Sequence, residues 1–67
     1  MSVAKVIEIT SSSNEGFADA IKQGISRATN TIEDVRGAWI KEQKVVVEKG
    51  QITEFRVDMK VTFVMHE

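Results

Sequence analysis

The sequence predicts a small α+β domain in which one helix packs on a three-stranded antiparallel sheet. Three observations predict it: a long segment near the C-terminus that alternates apolar and polar side chains, one amphipathic helical segment before it, and two further segments rich in β-branched residues. These elements follow one another in the order β-α-β-β. No linker, repeat or low-complexity segment divides the chain, so residues 1–67 are predicted to form a single domain.

The first strand is predicted over residues 3–9, VAKVIEI, because β-branched and apolar residues dominate it. The polar run TSSSN at residues 10–14 predicts a break before the helix, since these side chains compete for backbone hydrogen bonds. Ser13 is the predicted N-cap, and the spacing of Ser12 and Glu15 offers a capping box as the alternative.

The helix is predicted over residues 14–30. Its apolar residues recur at intervals of three and four, which is the pattern of a helix that buries one face. They are Phe17, Ala20, Ile21, Gly24, Ile25 and Ala28. Glycine inside a helix costs about 1 kcal/mol relative to alanine, so Gly24 on this stripe predicts a close approach to the strands below.

The second strand is predicted over residues 36–48. Its apolar residues change phase between Ile40 and Val45, which predicts a β-bulge or twist near residues 42–44. Lys49-Gly50 predicts a tight turn into the next strand, because glycine suits the positive φ of hairpin turns.

The third strand is predicted over residues 51–65, QITEFRVDMKVTFVM, and its length is unusual. At about 3.3 Å per residue it reaches roughly 50 Å, whereas a compact chain of this size has a radius of gyration of about 11 Å. The strand must therefore curl around something, project into a neighbouring subunit, or both. Placed between the other two strands, it gives an all-antiparallel sheet in the order 1-3-2.

Composition narrows the class of function. Nine basic and ten acidic residues are interspersed, so no basic patch predicts a nucleic-acid partner. No apolar run is long enough to span a bilayer, and the N-terminus does not resemble a signal peptide, so no membrane partner and a cytoplasmic location are expected.

The small size of the chain points to self-association. Short domains compensate for a small core with disulfides, a metal or oligomerisation. The chain has no cysteine and one histidine, His66, which leaves no disulfide and no thiolate or histidine-rich metal site within one subunit. Oligomerisation is therefore the expected compensation.

The sequence offers little catalytic chemistry. Helix capping accounts for the serines at residues 11–13, and no histidine lies where it could activate them. His66 stands next to the C-terminus, where solvation is the ordinary expectation, and no phosphate-binding or calcium-loop motif occurs. We therefore predict no catalytic residue and no enzymatic activity.

The polar face of the third strand and Trp39 are the more informative features. Glu54, Arg56, Asp58 and Lys60 alternate in sign. If exposed, such a row is merely solvated, but it is also self-complementary, so a symmetry-related copy could satisfy it. Trp39 has two interpretations. It is either an anchor that covers the core or a subunit contact, or an aromatic platform on which a planar ligand stacks.

Taken over its whole length, the chain resembles the dodecins. The resemblance rests on KVIEI in the first strand, SSSNEGF before the helix, AI..GI.RA within it and FRVDMKVTF in the last strand. It implies a hollow homododecamer of tetrahedral symmetry, with the sheet partly wrapped around the helix. It also implies that flavins such as riboflavin or FMN bind at subunit contacts and are stored or sequestered without turnover.

The chain departs from the flavin-binding pattern of that family at two positions. The pattern has a tryptophan in the second strand and a glutamine in the third; here Gly37 occupies the first position and Arg56 the second. Trp39 is displaced by two residues, which keeps it on the same face about 6.6 Å further along. The resemblance thus implies a cofactor site of Trp39, Arg56 and Gly37, with Trp39 stacking and Arg56 at the ring edge or at a phosphate.

The sequence is compatible with two functions. In one, the shell binds flavin through this modified site. In the other, a flavin-free shell has a structural role, or holds another anionic ligand or a divalent cation such as calcium. Candidate carboxylates for a cation are Glu8, Glu54 and Asp58.

Overall fold

The computed structural model describes residues 3–66 and contains the elements in the predicted order. Their bounds are β1 Val3–Ser13, α1 Phe17–Thr31, β2 Val35–Glu48 and β3 Gln51–Met65. β3 lies between β1 and β2 and runs antiparallel to both, so the sheet has the order β1-β3-β2. The predicted fold class and strand order are confirmed.

β1 is longer than the sequence suggested. The predicted break at residues 10–14 is wrong for its first four residues, because each of them pairs with β3 as far as Ser13 opposite Phe55. Pairing with a distant strand supplies the backbone hydrogen bonds that the serine and threonine side chains would otherwise compete for. The polar side chains alone predict a break at residues 10–13, but pairing with β3 holds these residues in a strand.

The helix begins three residues later than predicted, and its N-cap prediction is wrong. The N-cap is Gly16, in an extended conformation and without a side-chain hydrogen bond to the helix. Ser13 still lies in β1, where its Oγ accepts the N–H of Glu15 at 2.9 Å and donates to the carboxylate of Asp19 at 2.6 Å. The serine thus ties the strand–helix connection to the first turn of α1 without capping it.

The predicted apolar stripe of α1 forms the core with β3. Ala20, Gly24 and Ala28 are buried, and they face Val57, Met59 and Val61 of β3, whose side chains are fully buried. A Cβ at Gly24 would overlap the methyl group of Met59 and lie 3.0 Å from the Cβ of Ser11. The expected close approach at Gly24 is confirmed.

Irregular pairing in β2 accounts for the phase change seen in its sequence. The register against β3 shifts at three places, one of them between Ile40 and Glu42. The predicted bulge near residues 42–44 is thus displaced to Lys41, which has no partner in the ladder. Because of that extra residue, Ile40 and Val45 both oppose β3 residues of the helix-facing side, although their sequence phases differ.

The β2–β3 hairpin projects beyond the rest of the domain. Its turn has positive φ at Lys49 (52°) and Gly50 (76°), which confirms the predicted tight turn. β1 ends opposite Phe55, and α1 begins at the same level, where the rings of Phe17 and Phe55 meet edge to face at 5.2 Å. Residues 46–54, here called the hairpin arm, therefore lack both a third strand and a covering helix.

The overall dimensions show how the long strand is accommodated. The fold measures 52 × 19 × 13 Å with a radius of gyration of 13.8 Å, above the roughly 11 Å of a compact chain of this length. β3 thus projects along the long axis instead of closing on itself. Within the described residues 3–66, no helix is long and apolar enough to cross a membrane.

Candidate functional site

The sheet face turned away from α1, here called the outer face, carries the predicted site residues. Side chains alternate between faces along a strand, so the β3 residues between the buried Val57, Met59 and Val61 lie on the outer face. The register groups the outer-face side chains into four cross-strand rows. From the hairpin arm toward the termini these rows are Ser12–Arg56–Lys44, Thr10–Asp58–Glu42, Glu8–Lys60–Trp39 and Val6–Thr62–Gly37.

Trp39 is the most prominent side chain of the outer face. It exposes 71% of its surface and lies opposite Lys60. Gly37 occupies the next row on the same face, and a Cβ built there would meet no atom within 4 Å. The indole ring therefore does not cover the core of its own chain, and the space beside it is open to a planar ligand or to a second copy.

Arg56 lies apart from Trp39 within one chain. Trp39 lies opposite Lys60, and Lys60 is four residues beyond Arg56 on β3. The two rows are therefore about 13 Å apart along β3. Aromatic partners meet over only about 4.5–7 Å. The structure thus brings Trp39 and Gly37 together and leaves Arg56 outside the range of a direct contact with the indole ring.

Two bands of like charge cross the outer face next to each other. Lys44 lies directly opposite Arg56 and forms the basic band with it, and Glu42 lies opposite Asp58 to form the acidic band. Directly opposed like charges are destabilising in an isolated sheet. Among residues 3–66, Arg56 alone of these four forms an ion pair, with Glu54 at 3.1 Å.

Lys44 and Glu42 are candidate binding residues that the sequence reasoning did not name. Their placement depends on the register of β2, and that register depends on the bulge at Lys41. The charge alternation along β3 was visible in the sequence. The two charge bands could have been predicted by aligning residues 41–44, K-E-Q-K, against β3 with Lys41 left unpaired.

The carboxylates proposed as cation ligands are spread over the sheet. Glu8 pairs with Lys41 at 3.3 Å, Glu54 pairs with Arg56, and Asp58 accepts a hydrogen bond from Thr10 at 2.8 Å. No group of three or more histidine, aspartate or glutamate side chains lies close enough to hold a metal ion within the part of the chain described, residues 3–66.

His66 takes part in a structural contact near the end of β3. Its Nε2 lies 2.6 Å from Oδ2 of Asp34, which also accepts from the Nη2 of Arg36 at 3.0 Å. The backbone oxygen of Asp34 accepts the N–H of Val64 at 3.1 Å. The hydrogen bonds from Arg36 and then from His66 lower the pKa of the Asp34 carboxyl to about 2. The cluster thus joins the start of β2 to the end of β3.

Replacing Asp34 with asparagine is expected to reduce the loss of stability in acid. The folded-state pKa of Asp34, about 2, lies below its ordinary value of 3.8, so its ionised form stabilises the fold above about pH 4. That contribution is lost as the pH falls toward 2. The urea midpoint of the natural chain should therefore fall more steeply between pH 4 and pH 2 than that of Asp34→Asn.

Asparagine is a suitable replacement because it tolerates the positive φ of 58° at this position. Glu33→Gln, which removes the neighbouring exposed carboxylate, is the matched control and should keep the slope of the natural chain. Equal slopes for Asp34→Asn and the natural chain would contradict the role assigned to the Asp34 cluster.

Comparison with known proteins agrees with this architecture. The Dodecin family model matches residues 3–66. The calcium dodecin of Mycobacterium tuberculosis is 32% identical over 65 residues, which are 97% of this chain and 92% of that protein. Its solved structure, described as having a novel calcium-binding site, matches with a TM-score of 0.83 over 96% of this chain and 91% of that one.

Two further solved structures match more closely in shape. The dodecin from Streptomyces davaonensis is 33% identical with a TM-score of 0.94, over 98% of this chain and 97% of that chain. A variant of the T. thermophilus dodecin is 27% identical with a TM-score of 0.95, over the full length of both chains. With a family match across all the described residues and a relative above 30% identity along almost its whole length, this chain belongs to the dodecin family.

Proposed function

We propose that this protein forms a hollow homododecamer that binds and holds a flavin, riboflavin or FMN, without chemically changing it. Dodecins are small ligand-binding proteins, and members of the family form oligomers. The observation that carries the flavin assignment is Trp39, a flat ring that exposes 71% of its surface beside the open space at Gly37. An isoalloxazine is a planar aromatic system of the kind that stacks on such a ring.

The proposed site is shared between copies. In it, Trp39 of one copy supplies the stacking surface and Arg56 of another supplies a positive charge; within one chain the two residues lie about 13 Å apart along the sheet. A guanidinium group donates to carbonyl oxygens and binds phosphate in a bidentate manner. Since Lys44 lies beside Arg56 in the basic band, we expect FMN to bind more tightly than riboflavin.

A second candidate ligand is a calcium ion. The observation that favours it is the acidic band, in which Glu42 and Asp58 lie directly opposite each other without an ion pair among residues 3–66. Calcium prefers six to eight oxygen ligands, so two such bands from neighbouring copies would contribute to one site. The relative from M. tuberculosis bears the name calcium dodecin, which supports testing this ion.

Light scattering and a flavin titration test the proposal together. The particle mass should be about twelve times the 7.5 kDa of one chain, and the fluorescence of FMN should fall and saturate as protein is added at micromolar concentration. A monomer or dimer would contradict the shell. A dodecamer that leaves FMN and riboflavin fluorescence unchanged would contradict the flavin assignment, and calcium binding by calorimetry to that dodecamer would favour the second candidate.

A further inference from the structure

We propose that the hairpin arm of one copy docks into the groove between β1 and α1 of a neighbouring copy. This inference rests on the self-association proposed above and assigns surfaces to it. It identifies which part of the chain reaches out, which part receives it, and why the contact continues from copy to copy.

The hairpin arm lacks the packing that a two-stranded ribbon needs. Such a ribbon is marginally stable in water unless a third strand or a helix covers it. Val47 and Ile52 are directly opposed on the arm, so their side chains lie together, and they expose 56% and 54% of their surfaces. The arm therefore presents an apolar pair at its end that its own chain does not cover.

The groove lies along the opposite edge of the sheet. β1 is an edge strand, and between it and α1 there is an open groove of about 480 Å³. Apolar walls come from β1 and from the C-terminal part of α1 and the residue after it. These residues are Ile7, Ile9, Ala28 and Ile32. Gly24 also lines the groove, and the absence of a side chain there lets the walls approach each other.

Charge distinguishes the arm as the occupant of the groove. Arg27 is the charged residue among the side chains that line the groove, and within residues 3–66 it has no ion-pair partner. Glu48 follows Val47 at the end of the arm and likewise has no ion-pair partner in that range. The Glu48 side chain points to the other face of the ribbon from Val47. With the apolar pair against the isoleucines, it therefore lies at the rim of the groove, where the exposed Arg27 can meet it.

In the proposed contact, the arm of each copy enters the groove of a different neighbour from the one whose arm it receives, so the contact is heterologous. The arm projects from one end of the long axis, whereas the groove runs beside α1, so each copy gives one surface and receives the other. A heterologous contact continues from one copy to the next and closes when the rotation permits it. A closed shell requires such continuation, which the isologous pairing of two outer faces cannot provide alone.

A pair of introduced cysteines tests the contact directly, because the chain has no cysteine of its own. We would combine Ile52→Cys on the arm with Thr31→Cys at the end of the groove. Thr31 lies near Phe63, so within one chain the two sites are separated by about 36 Å along β3. A short bismaleimide cannot span that distance, and any link it makes joins different copies.

The control pair keeps the arm cysteine and moves its partner out of the groove. Ser26→Cys is exposed on α1 but does not line the groove. After treatment of the assembled protein, we expect a ladder of covalent dimers, trimers and larger species with Ile52→Cys/Thr31→Cys. The yield of linked species should be at least fivefold lower with Ile52→Cys/Ser26→Cys.

The outcomes separate this inference from the proposed shell. A particle of dodecamer mass without the ladder, or with equal ladders from both pairs, would overturn the arm contact and leave the shell in place. A monomeric natural chain would overturn both. As an independent measurement, Val47→Asn should lower the particle mass, whereas Lys49→Asn at the exposed turn should not; equal masses for the two variants would contradict the proposal.

Discussion

Replacing Met59 with alanine is expected to destabilise the fold by about 2–5 kcal/mol, the usual cost of truncating a fully buried methionine. Met59 lies at the middle of β3, has no exposed surface, and its methyl group occupies the place that a side chain at Gly24 would take. Shortening it leaves a cavity between α1 and the sheet. Small domains have a total stability of about 5–15 kcal/mol, so this loss is a large share of it.

Met65→Ala is the matched control, since Met65 lies on the same strand but is 50% exposed. Substitutions of exposed side chains change stability by about 0.5 kcal/mol or less. Urea unfolding followed by circular dichroism, with the particle mass measured alongside, gives both values in the same assembly state. Similar losses for Met59→Ala and Met65→Ala would show that the core does not depend on the contact between Met59 and Gly24.

The part of the fold that follows from local patterns could be predicted from the sequence. The alternation of residues 51–65 defined β3 with its bounds, because one face of that strand is buried against α1 and the other is not. The spacing of the apolar residues defined the buried face of α1. Gly24 indicated where α1 meets β3. A glycine weakens an isolated helix, and its presence is explained by the close contact with Met59 that it permits.

The errors have a common origin in pairing between distant residues. The polar residues 10–14, considered alone, predict a break before the helix, but β3 holds the serines at residues 11–13 in a strand. The bulge at Lys41 decides which side chains of β2 reach the outer face, and no local pattern located it to the residue. The charge bands were missed for that reason, because Lys44 and Glu42 join Arg56 and Asp58 only through this register.

Only the part of the candidate site that lies on a single strand could be predicted from the sequence. Trp39 and Gly37 lie on one strand and one face, so their proximity follows from the strand period. The relation of Arg56 to them depends on the register of β2 and on a second copy of the chain. It therefore stays a prediction about the assembled protein.

Replacing Trp39 with alanine is expected to weaken FMN binding by about 5- to 150-fold. Removing an aromatic ring that stacks on a planar base costs about 1–3 kcal/mol, and each 1.4 kcal/mol is a factor of ten in the dissociation constant. The ring is 71% exposed, so its removal should leave the stability of the chain nearly unchanged. A fluorescence titration of FMN with each protein measures the loss.

Two further variants distinguish stacking from a general effect on the shell. Trp39→Phe retains an aromatic face and should recover part of the affinity, whereas Val3→Ala, at another exposed apolar residue, should bind FMN as the natural chain does. Light scattering on each variant shows whether the particle persists. If Trp39→Ala keeps its mass and binds FMN as tightly as the natural chain, Trp39 is a subunit contact or a surface residue, and the flavin site must lie elsewhere.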